Sequence, residues 1–192
     1  MTAWRRGTFR GSGDAGRPLV VKLGGSLLAR PAWARDVASL LDELAPPRLL
    51  VVGGGPIVDG LRAIDRAAPQ APVLVHRLAI DCMGHTARLV AAALDAPLVD
   101  RPADRGGATA VLDAPRWLEH DGRLERLPVG WHVTSDSIAA LVAATHAAGL
   151  LLVKSVPPPC DDMTGAASAG WVDGHFPTAA RELPWIGWAA PA

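Results

Sequence analysis

The sequence predicts an α/β fold built on a mainly parallel sheet, and three observations carry that expectation. Short apolar runs at Leu19–Leu23, Leu49–Val52 and Leu150–Val153 have the length and composition of buried strands. The first two run straight into glycine clusters, Gly24-Gly25 and Gly53-Gly54-Gly55. Stretches of helical periodicity lie between the runs, and strand, glycine turn, helix, strand is the order in which parallel strands are joined.

Taken in order, Met1–Gly16 carries Arg5, Arg6 and Arg10 without the apolar stretch of a signal peptide, and reads as a flexible tail over 1–16. The remainder, 17–192, reads as one domain. After the first strand, Trp33, Val37, Leu40, Leu41 and Leu44 mark one face of a helix that Pro46-Pro47 stops. Behind the triple glycine, Pro56 suits a first helical turn, and Ile57, Leu61 and Ile64 give the next apolar stripe. A longer helix spans about His76 to Leu94, with Ile80, Met83, Ala87, Val90 and Leu94 inward and Arg77, Asp81, His85 and Arg88 on a shared polar face. A short strand follows near Pro97–Val99, then a surface loop from Asp100 to Gly107. Val111-Leu112 and Trp131-His132-Val133 read as strand pieces. Ser135 reads as the N-cap of a helix carrying Ile138, Leu141, Val142 and Thr145, which Gly149 ends. Phe176 to Trp188 reads as one short helix with loose packing. Trp171, Trp185 and Trp188 read as core or interface anchors.

Composition narrows the function classes. The 192 residues hold 19 basic and 19 acidic side chains, which argues against a broad nucleic-acid-binding surface but leaves room for a small anionic ligand. No run approaches the roughly 18 to 20 apolar residues of a bilayer span. Cys82 and Cys160 are far apart and, like His76 and His85, lack metal-ligand spacing, so neither a disulfide framework nor a protein metal site is expected and the setting reads as cytoplasmic.

The chemistry sits at the strand ends. Lys22 closes the first strand directly before Gly24, Gly25 and Ser26. Glycines let backbone amides approach an anion closely, and a following helix N-terminus adds free N–H groups, so two such turns and a lysine point to phosphate. In phosphoryl transfer the protein mainly positions the reactants and neutralises charge, which is work these residue types can do.

Three segments in register, Val20-Val21-Lys22-Leu23-Gly24-Gly25-Ser26, Val51-Val52-Gly53-Gly54-Gly55-Pro56 and Thr134-Ser135-Asp136-Ser137-Ile138-Ala139-Ala140, resemble the amino acid kinase family. The resemblance implies a three-layer αβα sandwich, ATP with Mg²⁺ as cofactors, and a homodimer. By position it implies that Lys22 stabilises the transferred group, that Asp136 orients the catalytic lysines, and that Gly24, Gly25 and Ser26 hold the nucleotide phosphates. Gly53, Gly54 and Gly55 would approach the acceptor, with Arg77, Asp81 and Arg88 on the acceptor side. The family's later lysine-bearing segment has no counterpart, since Lys22 and Lys154 are the only lysines. Either Lys154 supplies the second cation, or an arginine or Mg²⁺ does. Asp162 reads either as nucleotide-binding or as part of an acidic surface loop.

The short chain, with Gly170-Trp171-Val172-Asp173 and Phe176-Pro177, is similar to a compact branch typified by the aminomethylfuran-methyl phosphate kinase of methanofuran biosynthesis. This implies a phosphate monoester as acceptor. Two alternatives stand beside it: a carboxylate or carbamate kinase making an acyl phosphate, and a non-catalytic nucleotide or oxyanion binder of the same fold.

Overall fold

The computed structural model describes residues 3–11, 17–107 and 109–192. Its centre is a seven-stranded sheet of order β1-β7-β6-β2-β3-β5-β4. The strands are β1 (Trp4–Arg10), β2 (Leu19–Leu23), β3 (Arg48–Val52), β4 (Leu98–Val99), β5 (Thr109–Leu112), β6 (Gly149–Val153) and β7 (Ile186–Pro191). All neighbouring pairs run parallel except β1 with β7. The helices are α1 (Trp33–Asp42), α2 (Gly55–Ala67), α3 (Pro72–Ala93), α4 (Ala114–Glu119), α5 (Ser135–Thr145), α6 (Met163–Ser168) and α7 (Phe176–Ala179). This is the expected αβα sandwich.

Strand alternation sorts the core into two faces. Leu19, Val21 and Leu23 of β2 pack with Val37, Leu40 and Leu41 of α1 and with Val90 of α3. Val20 faces the other way, into a cluster holding Ile138 and Val142 of α5, Trp117 of α4 and Phe176 of α7. Lys22 shares the parity of Val20, so the backbone alone aims it at the α5 side. The central strands β2 and β6 are buried at every position, which explains why they read as unbroken apolar runs.

Several elements differ from the sequence reading. The expected 1–16 tail contributes β1, which hydrogen-bonds along β7 and sets Phe9 edge-on to Trp171 at 5.7 Å; residues 12–16 lie outside the described residues. The expected loose C-terminal segment likewise contains β7, which inserts between β1 and β6. Its Gly187 and Ala189 lack the bulky branched signature of a strand, and a side chain at 187 would meet the Trp185 ring. Trp131–Val133 forms turns instead of a strand, because Trp131 is held sideways against α2. The loop after Asp100 contains a short 3₁₀ turn, Pro102–Arg105. Finally, Ile57 and Ile64 face outward at 47% and 64% exposure, and α2 has no buried residue.

A strand and a tail differ sharply in amide exchange. We expect Trp4–Arg10 amides that bond to β7 to exchange orders of magnitude more slowly than an unstructured peptide, in step with their β7 partners. Hydrogen–deuterium exchange with fragment separation measures this, and exchange at the free-peptide rate would contradict the strand.

Candidate active site

The C-terminal ends of β6, β2 and β3 lie side by side, and the chain leaves each one toward the same cleft. Leu23 carbonyl accepts from the Gly53 amide at 2.9 Å, and Val153 carbonyl accepts from the Gly24 amide at 2.7 Å, so the three exits are tied edge to edge. Ligands in open parallel sheets bind beyond such carboxyl ends. The cleft measures about 420 Å³.

The two glycine loops touch backbone to backbone. A Cβ on Gly25 would lie 2.2 Å from the Gly55 nitrogen, and one on Gly55 would lie 2.7 Å from the Gly25 carbonyl oxygen. Gly55 also has φ +56°, a conformation that side chains resist. Glycine is therefore required here for the loops to meet. The first loop continues into a short 3₁₀ turn (Gly25–Ala29), and the second opens α2 with no side-chain cap on its first amides. Those α2 amides stay available to an anion.

Beneath the loops lies a buried charge cluster. Lys22 Nζ stands 2.8 Å from Asp136 Oδ1, and Lys154 Nζ stands 2.9 Å from Asp136 Oδ2. Lys22 and Asp136 are 3% and 4% exposed. Lys154 also donates to the Trp171 carbonyl and lies 5.0 Å over the Trp171 ring. One carboxylate thus serves two ammonium groups. Burial pushes the Asp136 carboxyl up, but Lys22 and then Lys154 more than reverse this and leave it at about 2. Burial, reinforced by the Lys22 charge, pulls Lys154 down to about 8, against the opposing pull of Asp136.

Asp136 occupies the first turn of α5, whose N-terminus is closed from outside the helix. Thr134, not Ser135, is the N-cap residue, and its hydroxyl makes no bond to its own helix. Asp173 instead accepts from the Thr134 amide and hydroxyl at 3.0 and 2.8 Å, and from the Ser137 amide at 2.9 Å and the Ser137 hydroxyl.

Of the residues expected in the site, Lys22, Gly25, Ser26, Gly53, Gly54, Gly55, Asp136 and Lys154 line this cleft. Gly24 does not: its amide is spent on β6, and it serves to seat the loop. Asp162 caps α6 by accepting from the Gly165 amide at 2.8 Å, which makes it a structural acidic residue. Arg77, Asp81 and Arg88 lie outside the cleft as well. Arg77 pairs with Glu119 and with Asp81 at 4.0 Å, while Arg88 pairs with Asp113 at 3.3 Å. They bind α3 to α4 and its flank, as a solvated helix face does.

The cleft contains residues the motifs did not flag. Arg62 on α2 lies 5.0 Å over the Trp131 ring, whose indole N–H donates to Asp65 at 2.9 Å. His76 is 7% exposed; its Nδ1 accepts from the Gly130 amide, and burial pushes its pKa down, so the ring is neutral near pH 7. Trp171, Asp173 and Gly174 form the opposite wall. Trp171 and Asp173 stand in the Gly170-Trp171-Val172-Asp173 segment noted for its resemblance, but nothing local in the sequence ties Asp173 to Thr134.

The sequence profile of the Amino acid kinase family matches residues 17–127. The chain belongs to the amino acid kinase family. No curated protein sequence matches it. Among solved structures it is similar to the UMP kinase from Ureaplasma parvum, at 13% identity, TM-score 0.62, 90% of this chain and 98% of that one. It is also similar to the uridylate kinase from Archaeoglobus fulgidus, at 19% identity, TM-score 0.49, 73% of this chain and 64% of that one. At 13% identity the first likeness speaks for the amino acid kinase fold and not for a substrate.

The charge cluster makes stability depend on pH in two windows. Asp136 titrates lower in the folded chain than in the unfolded one, so its contribution is complete above about pH 4 and is lost as pH falls toward 2. Lys154 also titrates lower when folded, so between about pH 8 and 10.5 the unfolded chain binds more protons and this group makes stability rise with pH. Denaturant midpoints across both windows, compared with Asp136→Asn and Lys154→Met, test this. Asp136→Asn is expected to cost about 3–5 kcal/mol, since it strands two buried ammonium groups.

Proposed function

We propose that this protein is a kinase that transfers the γ-phosphoryl group of ATP to a small acceptor. The observation that carries this is the Lys22–Asp136–Lys154 cluster: two ammonium groups, one buried and one part-buried, converge on the single carboxylate Asp136, and the second carboxylate near them, Asp173, is spent on α5, so positive charge faces the cleft floor. Such a charge is costly to bury alone and is relieved by a bound anion. Lys22 would neutralise the transferring phosphoryl oxygens, Lys154 would hold a donor phosphate, and Asp136 would fix both. The backbone of Gly25 and Gly53–Gly55, with the α2 N-terminus, would hold phosphate oxygens in line.

Mg²⁺ fits as a companion of the nucleotide. Asp136 is spent on the lysines and Asp173 on α5, and no cluster of metal-binding side chains occurs among the described residues. Phosphate oxygens would therefore supply most of its ligands; the remaining carboxylate lining the cleft, Asp59, is paired with Arg62 at 3.3 Å. The ion would offset phosphate charge beyond what the two lysines can neutralise.

The acceptor we assign is a phosphate monoester, with aminomethylfuran-methyl phosphate as the specific candidate. With Arg77 and Arg88 turned away, the cation lining the cleft beside Lys22 and Lys154 is Arg62, and the Gly170–Asp173 segment, which resembles the compact branch, forms a wall of the cleft. We place the reaction in the cytoplasm, on one domain made of 17–192 together with strand β1. We further assign a homodimer. Ile57 and Ile64 of α2, with Leu74 and Leu78 of α3, offer exposed apolar side chains for the partner copy.

Two measurements test this reading. Lys22→Met should lower phosphoryl transfer by about 10²–10³-fold while circular dichroism shows a retained fold; unchanged turnover in a folded variant removes the site. Product trapped by hydroxylamine would identify an acyl phosphate and reassign the acceptor to a carboxylate or carbamate. Separately, Ile64→Glu with Leu78→Glu should convert a dimer to a monomer in sedimentation velocity, and a monomeric parent chain removes the dimer assignment.

A further inference from the structure

The turn Gly170–Gly174 is joined to the charge cluster at three points. The Trp171 carbonyl accepts from Lys154 Nζ. The Asp173 amide donates to Asp136 Oδ2 at 3.3 Å. The Asp173 carboxylate takes the amide and hydroxyl of Thr134 and of Ser137, the residues that bracket the Ser135-Asp136 pair. It also accepts from the His175 amide at 3.2 Å, which braces its own turn.

Donor matching makes the residue type specific. Two amides and two hydroxyls at the α5 N-terminus converge on this one side chain, and an ionised carboxylate offers about four lone-pair sites and no donor. Asparagine would turn an NH₂ group toward N–H donors. The negative charge also sits at the positive end of α5. With its oxygens engaged there, Asp173 has little capacity left for a ligand, although it lines the cleft.

We propose that Asp173 is the positioning residue of this site, holding Asp136 between Lys22 and Lys154 by clamping the first turn of α5 and by its own amide. This rests on the kinase reading of the cluster for its functional meaning. Asp173 moves no proton and touches no transferred group; it sets where the shared carboxylate stands, and through the Trp171 carbonyl its turn also sets where Lys154 stands. A displacement of the order of 1 Å in such a constellation is enough to cost about 10²-fold in rate.

The chain's two lysines make the test direct, because ¹³Cε-lysine labelling gives two signals and both come from the site. The charged groups facing Lys154 are Lys22, Asp136 and Asp173. In Asp173→Asn, Lys154 loses a negative neighbour and its tight pairing with Asp136, so its titration midpoint, near 8 in the parent chain, should fall by about one unit. Transfer should fall about 10–100-fold in kcat, with the acceptor KM changed by less than about twofold. A residue that merely caps α5 would still move Lys154 through its lost charge, so the deciding result comes from a variant that keeps that charge. Thr134→Val with Ser137→Ala is that variant, since it removes both hydroxyl donors and keeps the carboxylate. It should move the Lys154 midpoint the same way by a smaller amount, and an unmoved midpoint overturns the proposal. Absence of transfer by the parent chain would remove the kinase reading alone, since the titration reports on Asp173 without turnover.

Discussion

The shared carboxylate of Asp136 is the constraint around which the site is arranged. It is 4% exposed and has a lysine on each oxygen, one from the central strand β2 and one from the exit of β6. β2 and β6 are adjacent and parallel with Lys22 opposite Leu152, so Lys154, two residues beyond Leu152, shares the parity of Lys22 one step further along. A single helix start above them can then serve both. If the register slipped by one residue, Lys22 would turn to the α1 side and the pairing would be lost. Burying these charges is worthwhile only in an arrangement that satisfies them, so the sheet, α5 and the Asp173 turn all answer to one carboxylate.

The glycines have a second, separate role. At Gly25 and Gly55 the chain reaches a packing limit, with the two loops closer than any side chain permits. Their function as a phosphate cradle follows from this proximity, since convergent amides need convergent backbones. Gly24, one residue earlier, contributes by bonding to β6 and never faces the cleft.

Much of this was legible in the sequence because it depends on local chemistry. Leu19–Leu23, Arg48–Val52 and Gly149–Val153 are apolar throughout or nearly so, and such runs have few destinations except a sheet buried on both faces. Lys22 and Asp136 were legible through their motifs. What escaped was set by partners far along the chain. Trp4–Arg10 has no buried residue and no turn signal to announce a partner, which proves to be a strand starting at Ile186. The Arg77, Asp81 and Arg88 face was correctly read as polar, but periodicity reports which residues share a face and not what lies opposite. Here Glu119 and Asp113 lie opposite, and the cleft lies elsewhere. Asp173 escaped for the same reason, being 36 and 39 positions from the groups it caps.

The lysine economy of the chain has a chemical corollary. Apart from Lys22 and Lys154, every strongly basic side chain is an arginine. Arginine keeps its proton at any ordinary pH, whereas a lysine drawn down to about 8 has a substantial neutral, nucleophilic fraction under mildly alkaline conditions. An acylating or aldehyde reagent therefore finds few amines on this molecule: the chain terminus, and two that belong to one cluster. Lysine modification, which on most proteins decorates the surface, would on this one be directed at the cleft.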